Sequence, residues 1–133
     1  MADAGYSGTP QLTKLGIVPG ARWSLVGADD GWAFATDPDA ADRAPDDAPA
    51  DVVVAFVRTA AELESVLLAQ ESRIFPAGAL WIAWPRKAAG HVSDLSDSVV
   101  RAAALARTLV DVKVAAIDDD WSGLKLVWRR EHR

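Results

Sequence analysis

The sequence contains no cysteine. Disulfide cross-links, thiolate metal sites and thiol nucleophiles are therefore excluded. Histidine is scarce as well: His91 lies in a polar stretch and His132 close to the end of the chain. No Gly-x-Ser-x-Gly elbow is present, and the serines near His91 (Ser93, Ser96 and Ser98) read as residues of a helix start. Long hydrophobic runs are missing too. The longest, near Val52–Val57 and Gly78–Trp84, are far too short to span a bilayer. Met1-Ala2-Asp3-Ala4-Gly5-Tyr6 has neither a basic n-region nor an apolar h-region. A cytoplasmic location with no membrane partner is the expectation.

Excess positive charge is also lacking. The formal net charge is -5 and the isoelectric point is about 4.9. No nucleic-acid partner is expected, because affinity for phosphates comes from Lys and Arg. The basic cluster Arg129, Arg130 and Arg133 reads as a solvated tail. Asp118, Asp119 and Asp120 are consecutive, so their carboxylates diverge, and they lack the spaced ligands of a calcium loop. They read as a hairpin turn, and no metal or other cofactor is expected.

What the chain does have is apolar mass. Half of its 133 residues are hydrophobic, and six are tryptophan. That is enough for one domain with its own core. We expect a disordered N-terminus over 1–8, one α/β domain over 9–130 and a tail over 131–133. Thr9, Pro10 and Gly16 bracket a short helix as cap, first helical residue and left-handed stop. Arg22–Val26 reads as a strand with Trp23 and Leu25 on one face and Ser24 and Val26 on the other. Asp29 to Asp51 is acidic and rich in Pro and Ala, with Arg43 its only cation. It reads as loop, with a short helical or extended piece near Trp32–Ala35.

Two later segments are different in kind. Asp51–Val57 and Ala79–Trp84 are continuous apolar runs, the mark of strands covered on both faces. Thr59-Ala60-Ala61-Glu62 reads as a capping box that opens a helix with Leu63, Val66 and Leu67 on one face. Asp94 or Ser96 caps a further helix, running to about Thr108 with Val99, Ala103 and Ala106 inward. Val110–Ile117 and Leu124–Arg129 read as a terminal hairpin. The predicted fold is α/β: a Rossmann-like, mainly parallel sheet of about five strands flanked by helices, with a C-terminal antiparallel hairpin.

The Asp-led run Asp51–Val57, the turn Pro76-Ala77-Gly78 before Ala79–Ile82 and the closing hairpin resemble the later half of class I methyltransferases. Lys14–Gly20, Leu80–Lys87, Leu109–Val114 and Asp119–Leu124 are similar to small bacterial proteins of the domain of unknown function 3052 family. The resemblance spans Lys14 to Arg129 and implies a fold, not an activity. A methyltransferase needs a Gly-rich loop after its first strand and a carboxylate ending its second. Here Gly27-Ala28-Asp29-Asp30-Gly31 matches poorly, and strands two and three are expected to be missing. The first strand would then be a sheet edge, and a homodimer through that edge is one way to cover it.

Ligands of open α/β sheets bind outside the carboxyl ends of the strands. Those ends are expected to bring Asp29, Asp30, Arg58, Thr59, Arg86, Lys87 and His91 to one rim. Arg86 and Lys87 would hold an anionic small molecule, aided by the helix N-terminus at Thr59, unless they pair with Asp29, Asp30 or Asp94. The expected function is a non-catalytic binding or protein-interaction domain. The competing class is an enzyme or cofactor binder of the S-adenosylmethionine-dependent methyltransferase type.

Overall fold

A computed structural model describes residues 9–133, so the expectation for residues 1–8 lies outside the described residues. Six strands form one sheet in the order β2-β1-β3-β4-β6-β5. They are β1 (Arg22–Val26), β2 (Asp42–Arg43), β3 (Val52–Phe56), β4 (Ala79–Pro85), β5 (Leu109–Ala116) and β6 (Trp121–Trp128). The first four are parallel, while β6 runs antiparallel to both β4 and β5. Helices α1 (Gln11–Leu15), α2 (Ala60–Gln70) and α3 (Asp97–Leu105) flank it. Among the described residues, no helix is long and apolar enough to cross a membrane.

The apolar runs are covered on both sides because both faces of the central strands are occupied. Val53, Ala55, Leu80, Ile82, Leu124 and Leu126 pack beneath α2 and α3 with Leu63, Leu67, Val100 and Ala104. Val52, Val54, Phe56, Trp81 and Ala83 face the other way, onto Leu15 and Ile17. Trp81 is fully buried, and its indole N–H donates to the Leu15 carbonyl at 3.1 Å. Gly16 ends α1 at φ 84, the left-handed stop the sequence indicates. Pro10 occupies the cap position, one residue before its expected place. In β1, Trp23 and Leu25 join the second face and Val26 the first, as alternation requires.

The acidic stretch holds no element at Trp32–Ala35. Instead it contributes β2, a two-residue strand pairing Arg22 with Asp42 and Trp23 with Arg43. The sheet thus has one more strand than expected, and β1 is not a bare edge: β2 takes its first half. Beyond Ala44 the chain turns back toward the start of β3, where Arg73 holds it. The Arg73 guanidinium donates to the carbonyls of Pro45 and Ala48 at 2.7 and 2.8 Å and to Gln70 at 2.9 Å. Burial pulls its pKa below the ordinary arginine value, against the opposing pull of Asp46 and Asp47.

Helix α3 buries Val100 and Ala104 in the core with Ala103 packed beside them as expected, whereas Val99 and Ala106 are exposed. Ser96 is the cap and accepts from the Val99 N–H at 3.3 Å. Leu95, just before it, is buried with Val100, a hydrophobic staple that sets the inward face. Val99 is consequently exposed. The expected capping box at α2 forms only in part. The Thr59 hydroxyl donates to Glu62 at 3.1 Å, and the N–H of Ala60 is satisfied by Asp94 at 2.9 Å.

Glu71, at the end of α2, joins three elements. Its carboxylate accepts two bonds from Arg107, at 3.0 and 2.8 Å, and one from Thr108, while its carbonyl accepts from the Trp128 indole. The Glu71 hydrogen bond is the main reason the Arg107 pKa rises. Arg129 is not a solvated tail residue: it donates to the carbonyls of Leu105 and Arg107, beyond the last turn of α3. Removing the Glu71 carboxylate leaves a half-buried guanidinium without its partner. Glu71→Ala should cost about 1.5–3 kcal/mol in urea denaturation. Glu64→Ala, which removes an exposed carboxylate 3.9 Å from the same arginine, should change stability by less than about 0.5 kcal/mol.

Candidate functional site

The carboxyl ends of β1, β3 and β4 meet the β5–β6 turn at one rim. Strand order reverses between β1 and β3, since the chain leaves β1 to one side for β2 and to the other for β3. This reversal is the switch point at which open α/β sheets open a crevice for ligand. Here the crevice is occupied by the protein's own side chains.

Gly27 closes β1 at φ 71, and a Cβ there would lie 2.8 Å from the Phe56 carbonyl. Its glycine character thus answers to the close approach of β3 and to the left-handed turn. Arg58, two residues beyond β3, donates to the Gly27 carbonyl at 3.1 Å, pairs with Asp29 and lies over the Trp121 ring at 5.2 Å. From Asp29 the chain crosses the strand ends. Trp32 meets Phe34 at 5.1 Å and Phe56 at 4.9 Å, and Phe56 meets Trp121 at 4.9 Å. All three contacts are edge-on, the favoured arrangement for aromatic pairs. The Trp32 indole donates to Asp118 at 2.9 Å. The other oxygen of Asp118 accepts from the N–H groups of Asp120 and Trp121. Behind this, buried Gln11 receives the Ala35 N–H and donates to the Ile117 carbonyl, each at 2.7 Å.

Two open clefts remain, one on each side of the segment that follows β4. The first, about 500 Å³, is lined by Asp29, Arg58, Pro85, His91, Val92, Asp120 and Trp121. His91 lies 3.0 Å from the Asp120 carboxylate. The second, about 320 Å³, lies beside Trp84, Arg86, Lys87, Leu95, Ser96 and Val114. Strand alternation explains the split: Pro85 faces one side of the sheet, and Trp84 and Arg86 the other.

The expected single rim is therefore two sites. Asp29, Arg58 and His91 come together. Arg86 and Lys87 lie across the strand end in the other cleft, and their side chains make no hydrogen bond or ion pair among the described residues. Asp30 is exposed and lines neither cleft. Thr59 faces Glu62. The helix N-terminus beside it is already met by Asp94, so it does not aid an anion at Arg86. Sequence reasoning missed Asp120, Val92 and Pro85. The alternation of Trp84, Pro85 and Arg86 was the available signal for the split. Among the described residues, no group of carboxylates and histidines has the arrangement of a metal site.

No family model matches the chain, and no curated protein does. The likeness to the domain of unknown function 3052 family therefore stands as a resemblance only. Solved structures do match. A protein of the NADB-Rossmann superfamily from Streptococcus agalactiae aligns with a TM-score of 0.52 at 11% identity, over 92% of this chain and 69% of that one. The B. subtilis M1A22 tRNA methyltransferase TrmK gives 0.52 at 11%, over 94% and 68%. The Methanococcus jannaschii fibrillarin pre-rRNA processing protein gives 0.51 at 12%, over 84% and 68%. The likeness is one of fold. It places the sheet among Rossmann and methyltransferase-type folds and assigns no chemistry.

Asp118 holds the loop across the crevice and shapes the hairpin turn at once. Asp118→Ala should speed amide exchange at Trp32–Ala35 and lower stability by about 1–3 kcal/mol. Unchanged exchange would show that the aromatic contacts hold the loop alone.

Proposed function

We propose that this chain is a non-catalytic binding domain on a methyltransferase-type Rossmann sheet. The observation that carries this reading is the filled crevice at the switch point. Arg58 spans it to the Gly27 carbonyl and Asp29, and Trp32 lies across it onto Phe56. A cofactor bound there would have to displace both. The second requirement, a carboxylate at the end of the second strand, is also unmet. β2 stops level with Trp23, three residues before β1 ends. Asp46 and Asp47 follow it, but Arg73 ties Pro45 and Ala48 toward the opposite end of the sheet. β2 ends on Arg43, not on the carboxylate that would hold a ribose.

Two of the neighbours have names that refer to RNA. RNA is not proposed for this chain. Its net charge is negative, and Asp29 and Asp120 stand at the rim.

The test is a thermal titration. S-adenosylmethionine, S-adenosylhomocysteine and nicotinamide dinucleotides at millimolar concentration should leave the Tm unchanged within about 1 °C. A ligand that binds only the native state raises it in proportion to occupancy. A saturable rise of several degrees would overturn the reading in favour of an enzyme or cofactor binder.

A further inference from the structure

We propose that the groove beside Arg86 and Lys87 binds a phosphate monoester with an apolar or aromatic body. The proposal rests on the reading of the chain as a binding domain and names its ligand class. Three observations carry it.

The first is the state of the two cations. Three carboxylates near the rim are engaged elsewhere, Asp29 by Arg58, Asp94 by the Ala60 N–H and Asp120 by His91, while Asp30 and Asp119 line neither cleft. Arg86 and Lys87 have no such partner among the described residues, although the protein is acidic overall. The backbone beneath them is held in place. The Arg86 N–H donates to the Asp120 carbonyl at 2.8 Å, and Gly90 closes the turn onto the Lys87 carbonyl at 2.9 Å.

The second is the wall they stand on. Trp84 and Leu95 are buried core residues whose edges reach the groove, and Val114 adds an exposed apolar side. Such a floor takes a hydrocarbon or ring, while the cations take its charged end. The volume of about 320 Å³ is at the small end for ligand pockets. Two adjacent cations suit a phosphate monoester, whose charge near neutral pH is about -1.5 to -2.

The third is the polar complement. The Ser96 oxygen accepts from Val99 N–H, which leaves its own proton free to donate. The Ser122 hydroxyl, also at the groove, makes no hydrogen bond among the described residues. Asp97, the carboxylate on this wall, is turned to Arg101 at 3.4 Å. By contrast, Arg58 and His91 in the first cleft are already paired with Asp29 and Asp120, so that cleft offers the same ligand no unpaired cation among the described residues.

Phenyl phosphate, inorganic phosphate and benzyl alcohol are suitable probes, titrated into the full chain at low salt and followed by two-dimensional amide spectra. Phenyl phosphate should bind at least about tenfold more tightly than inorganic phosphate, and benzyl alcohol should not saturate. Shifts should centre on residues 84–88, 95–97 and 122. The double variant Arg86→Glu with Lys87→Glu should weaken phenyl phosphate at least about tenfold. Val114→Glu, an exposed change on a different strand, should do likewise without loss of Tm. Equal affinity for the two phosphates would overturn the proposal. So would full binding by either variant, shifts centred on Arg58 and His91, or no saturable binding of phenyl phosphate. Failure of the binding-domain reading is seen separately, as S-adenosylmethionine binding at the β1–β3 crevice.

Discussion

The contact of Trp32 and Trp121 with Phe56 joins three parts of the chain that are remote in sequence. Phe56 is the last residue of β3, Trp121 the first of β6, and Trp32 belongs to the acidic stretch. Each aromatic pair contributes about 0.5–1.5 kcal/mol beyond its buried area. That is enough to order a segment whose composition offers little else to pack. With Trp32 in place, Asp118 gains its third donor, the hairpin turn is braced, and Arg58 is held between Trp121 and the Gly27 carbonyl. Among the described residues, α1, Ile17 and this loop pack on the sheet's second face.

A consequence is a division of charge at the rim. Arg58 is spent within the protein, and the cleft beside it keeps carboxylates on its walls. Arg86 and Lys87 sit on the far side of a proline-ended strand and have no ion-pair partner among the described residues. One residue of alternation, from Pro85 to Arg86, separates a cleft whose charges are paired from one whose two cations are not paired among the described residues.

Much of the architecture was legible before any coordinates. The unbroken apolar runs at Val52–Phe56 and Ala79–Trp84 announce strands buried on both faces, because an exposed face would carry polar residues at every second position. Leu124, Leu126 and Trp128 recur at every second position and form the expected hairpin with β5. Other features were not legible. The inward face of α3 depended on which residue served as cap, and the neighbouring stripes Val99–Ala103 and Val100–Ala104 are equally apolar. The staple from Leu95 chose between them. β2 was invisible because Asp42 and Arg43 have no strand preference, and pairing with β1 imposes the extended conformation.

The sequence by itself determined the fold class, the identity of the central strands and the scarcity of catalytic groups. These follow from hydrophobic periodicity and from residue types, which are local properties. Only the tertiary structure decided how the rim is used. Whether Arg58 is a ligand group or a brace depends on Gly27, Asp29 and Trp121, which lie far from it in the chain. Whether Arg86 and Lys87 are neutralised depends on where Asp29, Asp94 and Asp120 find their partners. Charge pairing is a property of distances between remote residues, and no spacing in the sequence encodes it.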